Sequence, residues 1–345
     1  MLTMVVPNLL QMGGIQQWAL TVFHALTIEK VRIVNWDEQR GLIAKGVLKY
    51  FPNSYPHYFE NFYKRSIIKR FSYKIKEPIH FWSIEPATAF TDKKYIITCH
   101  GKELLRPNHI GQERLYQKVL ENARIIHVNS EFTRDLVSKN FSVNEEKIWV
   151  IPPSIKSLHR KKKCDGFTIG TISRLETRKN IIRIIQAMNI LKERGQIFRY
   201  VLAGDGGERE NILQEAKGRD WEFEYQGIIS EKAKINRFYP SLDLFIMCPM
   251  ETEDDVEGFG IVYIEANSFG IPVIASDTGG ISDAVSENVS GMFANPHDAE
   301  DIADKVELAM SSNSCFEPRK WAKRFLLKKQ LNKWKKMYGD AFGVI

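Results

Sequence analysis

The sequence predicts an α/β protein made of two Rossmann-like, doubly wound parallel-sheet domains that face each other across a cleft. Three observations predict it. The chain has 345 residues, too many for one ordinary core and suited to two domains of roughly 150 residues each. Both halves alternate short apolar runs with amphipathic helical stretches, the pattern of strand–helix–strand crossovers. The charge also reverses along the chain. Residues 1–163 carry 26 Lys+Arg against 14 Asp+Glu, residues 164–314 carry 14 against 26, and residues 315–345 carry 9 against 2. A basic first half beside an acidic second half implies two units with different partners, the first facing something anionic.

The elements follow in order. In the first half LTMVV, VRIVNW, YIITCH, RIIHVNS and KIWVIPP are the expected strands, with helices at GIQQWALTVFHAL and SEFTRDLVSKNF. KKKC at 161–164, after IPPSIKSLHR, is a polar linker where the sign of charge changes, so the boundary is placed between residues 160 and 161. In the second half FTIGTIS, RYVLAGD, FEYQG, DLFIMC and PVIASD are strands. NIIRIIQAMNILKERG and IVYIEANSFG are helices, each closing near a glycine. In such domains a ligand sits outside the carboxyl ends of the strands.

Composition removes several classes. With 43% hydrophobic and 26% charged residues the chain is an ordinary globular protein, and no apolar run approaches the roughly 18 residues of a membrane span. The opening MLTMVVPNLLQMGG has no basic n-region and no cleavage site, so no signal peptide is expected. Cys99, Cys164, Cys248 and Cys315 are dispersed, which speaks against a disulfide framework or a zinc site and for a cytoplasmic setting.

Three stretches carry chemistry. In SRLETRKN, Arg174 leaves a strand and Lys179 stands where the next helix begins; together they suit an anion, or else they are ordinary surface cations. LAGDGGER has Gly204, Gly206 and Gly207 between strand and helix, but Arg209 stands where a dinucleotide fingerprint needs glycine, which leaves a tight turn. ETEDDVEGFGIVYIEANSFGIPVIASDTGG places Glu257 and Glu265 around a Gly-Phe-Gly turn and a helix start. Glu265 lies among apolar residues, where a carboxylate is costly unless it binds something; a solvent-facing position is the competing reading.

EGFGIVYIE followed by GIPVIASDTGG resembles the E-x7-E motif of retaining glycosyltransferases of family four, the glycogen synthase and mannosyltransferase superfamily with the GT-B fold. MGGIQQWALTVFHAL, CHGKEL, VNSEFTRDLV, IWVIPPSI, SRLETRKN, LAGDGGER and YQGII resemble the family's other landmarks in order, so the resemblance covers nearly the whole chain. It implies a metal-independent retaining hexosyltransferase that uses a UDP- or GDP-linked sugar as co-substrate, with no cofactor. It also implies domains at 1–160 (acceptor side) and 161–314 (donor side), with a helix in 315–345 crossing back to the first.

By the same resemblance Arg174 and Lys179 hold the donor diphosphate, together with backbone N–H groups over Gly258, Phe259, Gly260, Ile261 and Val262. Glu265 takes the ribose hydroxyls and Glu257 the transferred sugar, while Gly227 and Ile229 offer backbone to the base. From the first domain Gly13 and Gly14 approach the diphosphate and His100 reaches the sugar; an ordinary structural histidine is the alternative. Asp254 and Asp255 are expected to be a solvated loop. The competing functions are a sugar-nucleotide epimerase on the same fold and an idle sugar-nucleotide-binding subunit.

FYKRSIIKRFSYKIK, residues 62–76, interleaves cations with apolar residues and suits an anionic membrane surface, which points to a glycan or lipid-linked acceptor. Base-reading motifs are absent, so nucleic acid is not expected as a partner.

Overall fold

The computed structural model describes residues 2–6, 14–26, 31–35, 78–88, 90, 93–105, 111–161, 166–311 and 316–343. Gly13 and the basic segment 62–76 lie outside the described residues. The chain divides into two compact units, Met1–Ser154 with Gln330–Ile345, and Ile155–Lys329. The boundary placed at 160/161 therefore falls inside the second unit. Ile155 already belongs there because it forms a bridge with Leu326 and donates its N–H to Phe325 O at 2.9 Å.

In the first unit β1 (Leu2–Val6), β2 (Val31–Asn35), β3 (Ile79–Phe81), β4 (Ile96–Cys99), β5 (Ile125–Val128) and β6 (Ile148–Val150) form one parallel sheet in the order β2-β1-β3-β4-β5-β6. The order reverses between β1 and β3, as in a doubly wound fold. Helices α1 (Gly14–Ala25), α2 (Gln112–Asn122) and α3 (Glu131–Asn140) serve as crossovers, the last capped by Ser130, whose side chain accepts from Thr133 N. β1, β4 and β5 are buried along their length, which fits their mostly apolar sequences LTMVV, IITC and IIHV.

A polar chain runs through this apolar interior. His127 Nε2 lies 2.9 Å from Ile151 O, which can only accept, so Nδ1 of that ring is the acceptor. Thr98 Oγ1 then donates to His127 Nδ1 (2.9 Å), His80 Nε2 donates to Thr98 Oγ1 (2.7 Å), and the Tyr338 hydroxyl donates to His80 Nδ1 (2.7 Å). One carbonyl thus sets the direction of every bond, and each histidine must stay neutral. Trp18, Trp82 and Trp334 enclose the chain, with Trp82 and Trp334 stacked at 5.8 Å. Trp334 and Tyr338 come from the C-terminal helix Leu327–Phe342, which is how the C-terminal residues join this core.

In the second unit β7 (Thr168–Ile172), β8 (Arg199–Ala203), β9 (Glu222–Gly227), β10 (Leu244–Met247), β11 (Val273–Ala275) and β12 (Gly291–Phe293) are all parallel, in the order β12-β11-β10-β7-β8-β9. The reversal lies between β7 and β10. Helices α4 (Ile181–Glu193), α5 (Arg209–Ala216) and α6 (Ile261–Ser268) link successive strands, and α7 (Ala299–Met310) follows the last strand, β12. The tail is broken rather than a single helix: Pro318–Ala322 packs in the second unit, Leu326 pairs with Ile155, and α8 (Leu327–Phe342) continues into the first. Trp321 and Phe325 accordingly serve the second unit's core, with Trp321 Nε1 donating to Ala284 O at 2.7 Å.

The glycines of LAGDGGER have a packing reason. Gly204 has φ 129, and a Cβ there would lie 1.8 Å from Ser173 O; at Gly206 it would lie 2.3 Å from Leu175 O. The β8 turn is thus pressed onto the loop that follows β7, and Leu175 N donates to Asp205 O at 2.9 Å. Gly204→Ala should destabilise the protein by about 3 kcal/mol, because the backbone has neither the space nor a favourable φ for a side chain. Urea unfolding measures this, and an unchanged midpoint would contradict it.

Burial lowers the pKa of His80 well below its ordinary value and that of His127 from 6.5 to about 3. The unfolded histidines take up protons below about pH 6.5 while the folded ones do not. The stability they contribute is therefore complete above that pH and is lost on acidification from 6.5 towards 3. His127 adds about 1.4 kcal/mol per pH unit to the slope between roughly pH 6 and pH 5, and His80 acts in the same direction. Urea titrations across this window should show a shallower slope for His127→Leu than for the unmodified protein.

Candidate active site

The carboxyl ends of β7 and β10 flank the second unit's reversal point, the place where open α/β sheets bind ligands. The β7 loop passes through a short 3-10 turn, Thr177–Lys179, to Asn180, which opens α4 in the left-handed region at φ 60. Asn tolerates that conformation. Its side-chain amide donates to Cys248 O (3.1 Å) and Pro296 O (2.6 Å), and Met250 N donates to Arg178 O (2.8 Å). These bonds stitch the two loops together.

Their side chains meet in an ionic cluster. Lys179 Nζ is 2.5 Å and Arg178 Nη1 3.5 Å from the same oxygen, Glu257 Oε2, while Arg178 Nε is 3.5 Å from Asp255 Oδ2. Arg178 is 8% and Lys179 7% exposed. Burial opposes ionisation of Glu257, but the charges of Lys179 and Arg178 and the hydrogen bond from Lys179 outweigh it and hold the carboxyl below the usual carboxylate range. Two near-buried cations facing one carboxylate form a balanced ionic cluster, in which removing one member leaves the charge of the others uncompensated.

Glycines shape the surroundings. Gly280 N donates to Glu257 O at 2.7 Å, and a Cβ on Gly279 (φ 57) would lie 2.5 Å from that carbonyl. The Gly279–Gly280 pair therefore sits against the Glu257 backbone. Gly260, at φ 83, opens α6, and a Cβ there would lie 2.5 Å from the ring of Tyr263, whose hydroxyl donates to Met247 O at 2.7 Å. The start of α6 is thereby fixed to the end of β10.

Glu265 belongs to a second cluster. Its Oε1 is 2.9 Å from Lys234 Nζ and its Oε2 accepts from the Tyr239 hydroxyl at 2.7 Å; Lys234 also pairs with Glu231 at 2.9 Å. Burial lowers the pKa of Lys234, but Glu265 and Glu231 more than compensate, leaving it above the usual lysine value. Burial and the adjacent Glu265 together push the Tyr239 hydroxyl well above its ordinary value. The cost of a carboxylate among apolar residues is thus met within the chain.

The remaining expected residues are placed as follows. Arg174 is exposed and paired with Glu176 at 2.6 Å, and it forms no ion pair with Glu257. Gly227 ends β9 at φ 62, its carbonyl accepting from Gly204 N; Ile228 is exposed and Ile229 partly buried. Gly258 and Phe259 are buried, with Phe259 packed edge-on against Phe325 at 5.6 Å, while Ile261 and Val262 form the first turn of α6. In the first unit Gly14 is the exposed first residue of α1. His100 is held by Trp82 O at Nε2 (3.0 Å) and by Glu103 at its backbone N–H (2.6 Å), and burial lowers its pKa so that the ring is neutral.

The expectation of a solvated acidic loop needs correction at one residue. Glu251 to Asp254 are exposed, but Asp255 is partly buried against Arg178, which supplies the counter-charge. Arg178, Lys234 and Tyr239 were not foreseen. The signals existed: Arg178 adjoins Lys179, and Glu231 and Lys234 have the i,i+3 spacing of a helical ion pair. Among the described residues no helix is long and apolar enough to cross a membrane, and no group of three or more His, Cys, Asp or Glu could hold a metal ion.

Comparison with known proteins places the chain in a family. The model for glycosyl transferases group 1 matches residues 143–325, and that for glycosyltransferase family 4 matches residues 24–157. The amylovoran biosynthesis glycosyltransferase AmsK of Erwinia amylovora is 24% identical over 218 residues, 61% of this chain and 53% of that one. The GDP-mannose-dependent monoacylated alpha-(1-6)-phosphatidylinositol monomannoside mannosyltransferase of Corynebacterium glutamicum is 26% identical over 230 residues, 61% of this chain and 59% of that one. The chain spans about half the length of the curated relatives it matches. Among solved structures, Anabaena HepE in complex with UDP and glucose superposes with a TM-score of 0.74 at 15% identity, covering 97% of this chain and 98% of that one. That likeness agrees with the expected GT-B fold class. The chain belongs to the group 1 glycosyl transferases.

Proposed function

We propose that the protein transfers a hexosyl unit from a UDP- or GDP-linked sugar to a hydroxyl acceptor, with retention and without a metal ion. The observation that carries this reading is the cluster of Lys179 and Arg178 on Glu257 at the reversal point between β7 and β10. Support comes also from the family, from a relative named for GDP-mannose dependence and from a structural neighbour solved with UDP and glucose.

In this reading Lys179 and the exposed Arg174 hold the donor diphosphate, and the first turn of α6 adds backbone N–H groups and the positive end of its dipole. Glu265, oriented by Lys234 and Tyr239, accepts from the ribose hydroxyls. Backbone at Gly227 to Ile229 meets the base. Glu257 faces the transferred sugar, and Gly14 and His100 contribute from the first unit. The bond from the anomeric carbon to the diphosphate oxygen breaks as the acceptor oxygen bonds on the same face, and the departing phosphate oxygen takes the acceptor's proton. Positioning and electrostatics then supply the rate, with no protein nucleophile. The acceptor is a glycan or a lipid-linked saccharide, with segment 62–76 meeting an anionic membrane; vesicle flotation that ignores anionic lipid would remove that last part.

A thermal-shift panel of UDP-, GDP- and ADP-sugars in EDTA tests the donor. One base should stabilise the fold, by about 2.7 kcal/mol at a hundredfold excess over Kd. No response to any nucleotide sugar contradicts the reading, and a response that EDTA abolishes contradicts metal independence. Lys179→Ala should weaken nucleoside-diphosphate binding roughly 10- to 100-fold, as expected for a lost charge-assisted bond. Glu257→Ala should lower turnover about a hundredfold while changing nucleotide affinity much less. Isothermal titration and donor-turnover assays separate the two, and equal affinity in Lys179→Ala and the unmodified protein would show its role to be wrong.

A further inference from the structure

Resting on the donor-site reading above, we infer that Arg178 is a positioning residue that keeps Glu257 ionised and in place once Lys179 turns to the donor diphosphate. Lys179 and Arg178 converge on one oxygen of Glu257, at 2.5 Å and 3.5 Å. The ammonium sits on a flexible stem with rotatable donors and can exchange one oxyanion for another. The guanidinium is a rigid fork, almost entirely buried, and its Nε and Nη1 form no hydrogen bond of normal geometry, only the ion pairs at 3.5 Å to Asp255 and Glu257.

If Lys179 alone held Glu257, donor binding would strip that carboxylate of its cation just as a second set of negative charges arrived. A largely buried carboxylate without a counter-charge takes up a proton or moves towards solvent. Arg178 removes the difficulty, because its partly satisfied fork needs only a small advance to bond Glu257 directly. Among the described residues the carboxylate meets Lys179 and Arg178 from the β7 loop and Tyr263 from α6, whose hydroxyl is committed to Met247 O, while Asp255 pairs with Arg178. Asp255 belongs to the acidic loop after β10, so that loop carries an anchor for the guanidinium and not merely solvated charge.

The test uses Arg178→Met, Arg178→Lys and Asp255→Asn, with nucleoside-diphosphate affinity from isothermal titration and donor turnover followed against pH. In Arg178→Met the nucleotide Kd should stay within about twofold, kcat should fall about a hundredfold, and the acid limb of the kcat profile should move to higher pH. Arg178→Lys should recover most of kcat and return the limb. Asp255→Asn, a change on a surface loop that keeps the test open if Arg178→Met does not fold, should shift both in the same direction by less. A nucleotide Kd weakened as much as in Lys179→Ala would overturn the inference by making Arg178 a diphosphate ligand. So would a kcat loss with an unmoved acid limb and no rescue by lysine, or unchanged kcat in both Arg178→Met and Asp255→Asn. An unmodified protein that binds no nucleoside diphosphate would instead sink the donor-site reading, a separate failure.

Discussion

Two cations and a carboxylate held almost out of water at the ends of β7 and β10 constrain everything around them. Breaking such a pair by deleting one partner costs about 3–5 kcal/mol, because the other charge is left uncompensated. The surrounding sequence is organised to prevent that. Asn180 accepts a left-handed backbone so that its amide can tie the lysine loop to Cys248 and Pro296, and Gly279 and Gly280 leave room for the Glu257 carbonyl. The glycine turn after β8 supports the loop from its other side.

The same logic appears around Glu265, with a different outcome. There Lys234 and Tyr239 satisfy both carboxylate oxygens with good geometry, so that group is a fixed acceptor whose orientation is set before any ligand arrives. Glu257 shares one oxygen between two cations, a less settled arrangement. The contrast separates the two glutamates chemically although they bracket the same helix start. They form neither an acid–base pair nor a shared cluster.

Much of this was legible in the residues. The strands of both sheets are Val- and Ile-rich because parallel strands are buried on both faces, and that composition marks them. β3 and β12 escaped although they are no shorter than β6 and β11, because IHF and GMF include a His and a Gly where IWV and VIA are unbroken apolar runs. The motif around Glu257 and Glu265 was visible, and so was the oddity of a carboxylate among apolar neighbours. What satisfied it was not: Lys234 and Tyr239, on a π-helical turn and its continuation, reach Glu265 across 31 and 26 residues of chain, a contact that local spacing does not reveal. Arg178 was hidden by its neighbours, since Arg174 and Lys179 fit the expected anion pattern while only the folded loop shows which arginine is buried. The histidine chain of the first unit was likewise unreadable, because it joins residues 80, 98, 127 and 338 through a network that exists only once the sheet and α8 are packed.

The central claim is that Lys179 exchanges Glu257 for a diphosphate while Arg178 stays with the carboxylate. A crystal structure with a bound nucleoside diphosphate measures it directly. The account predicts Lys179 Nζ within hydrogen-bond distance of a phosphate oxygen, the 2.5 Å contact to Glu257 broken, and Arg178 drawn inside its present 3.5 Å. A phosphate bound elsewhere, with the Lys179–Glu257 pair intact, would contradict it.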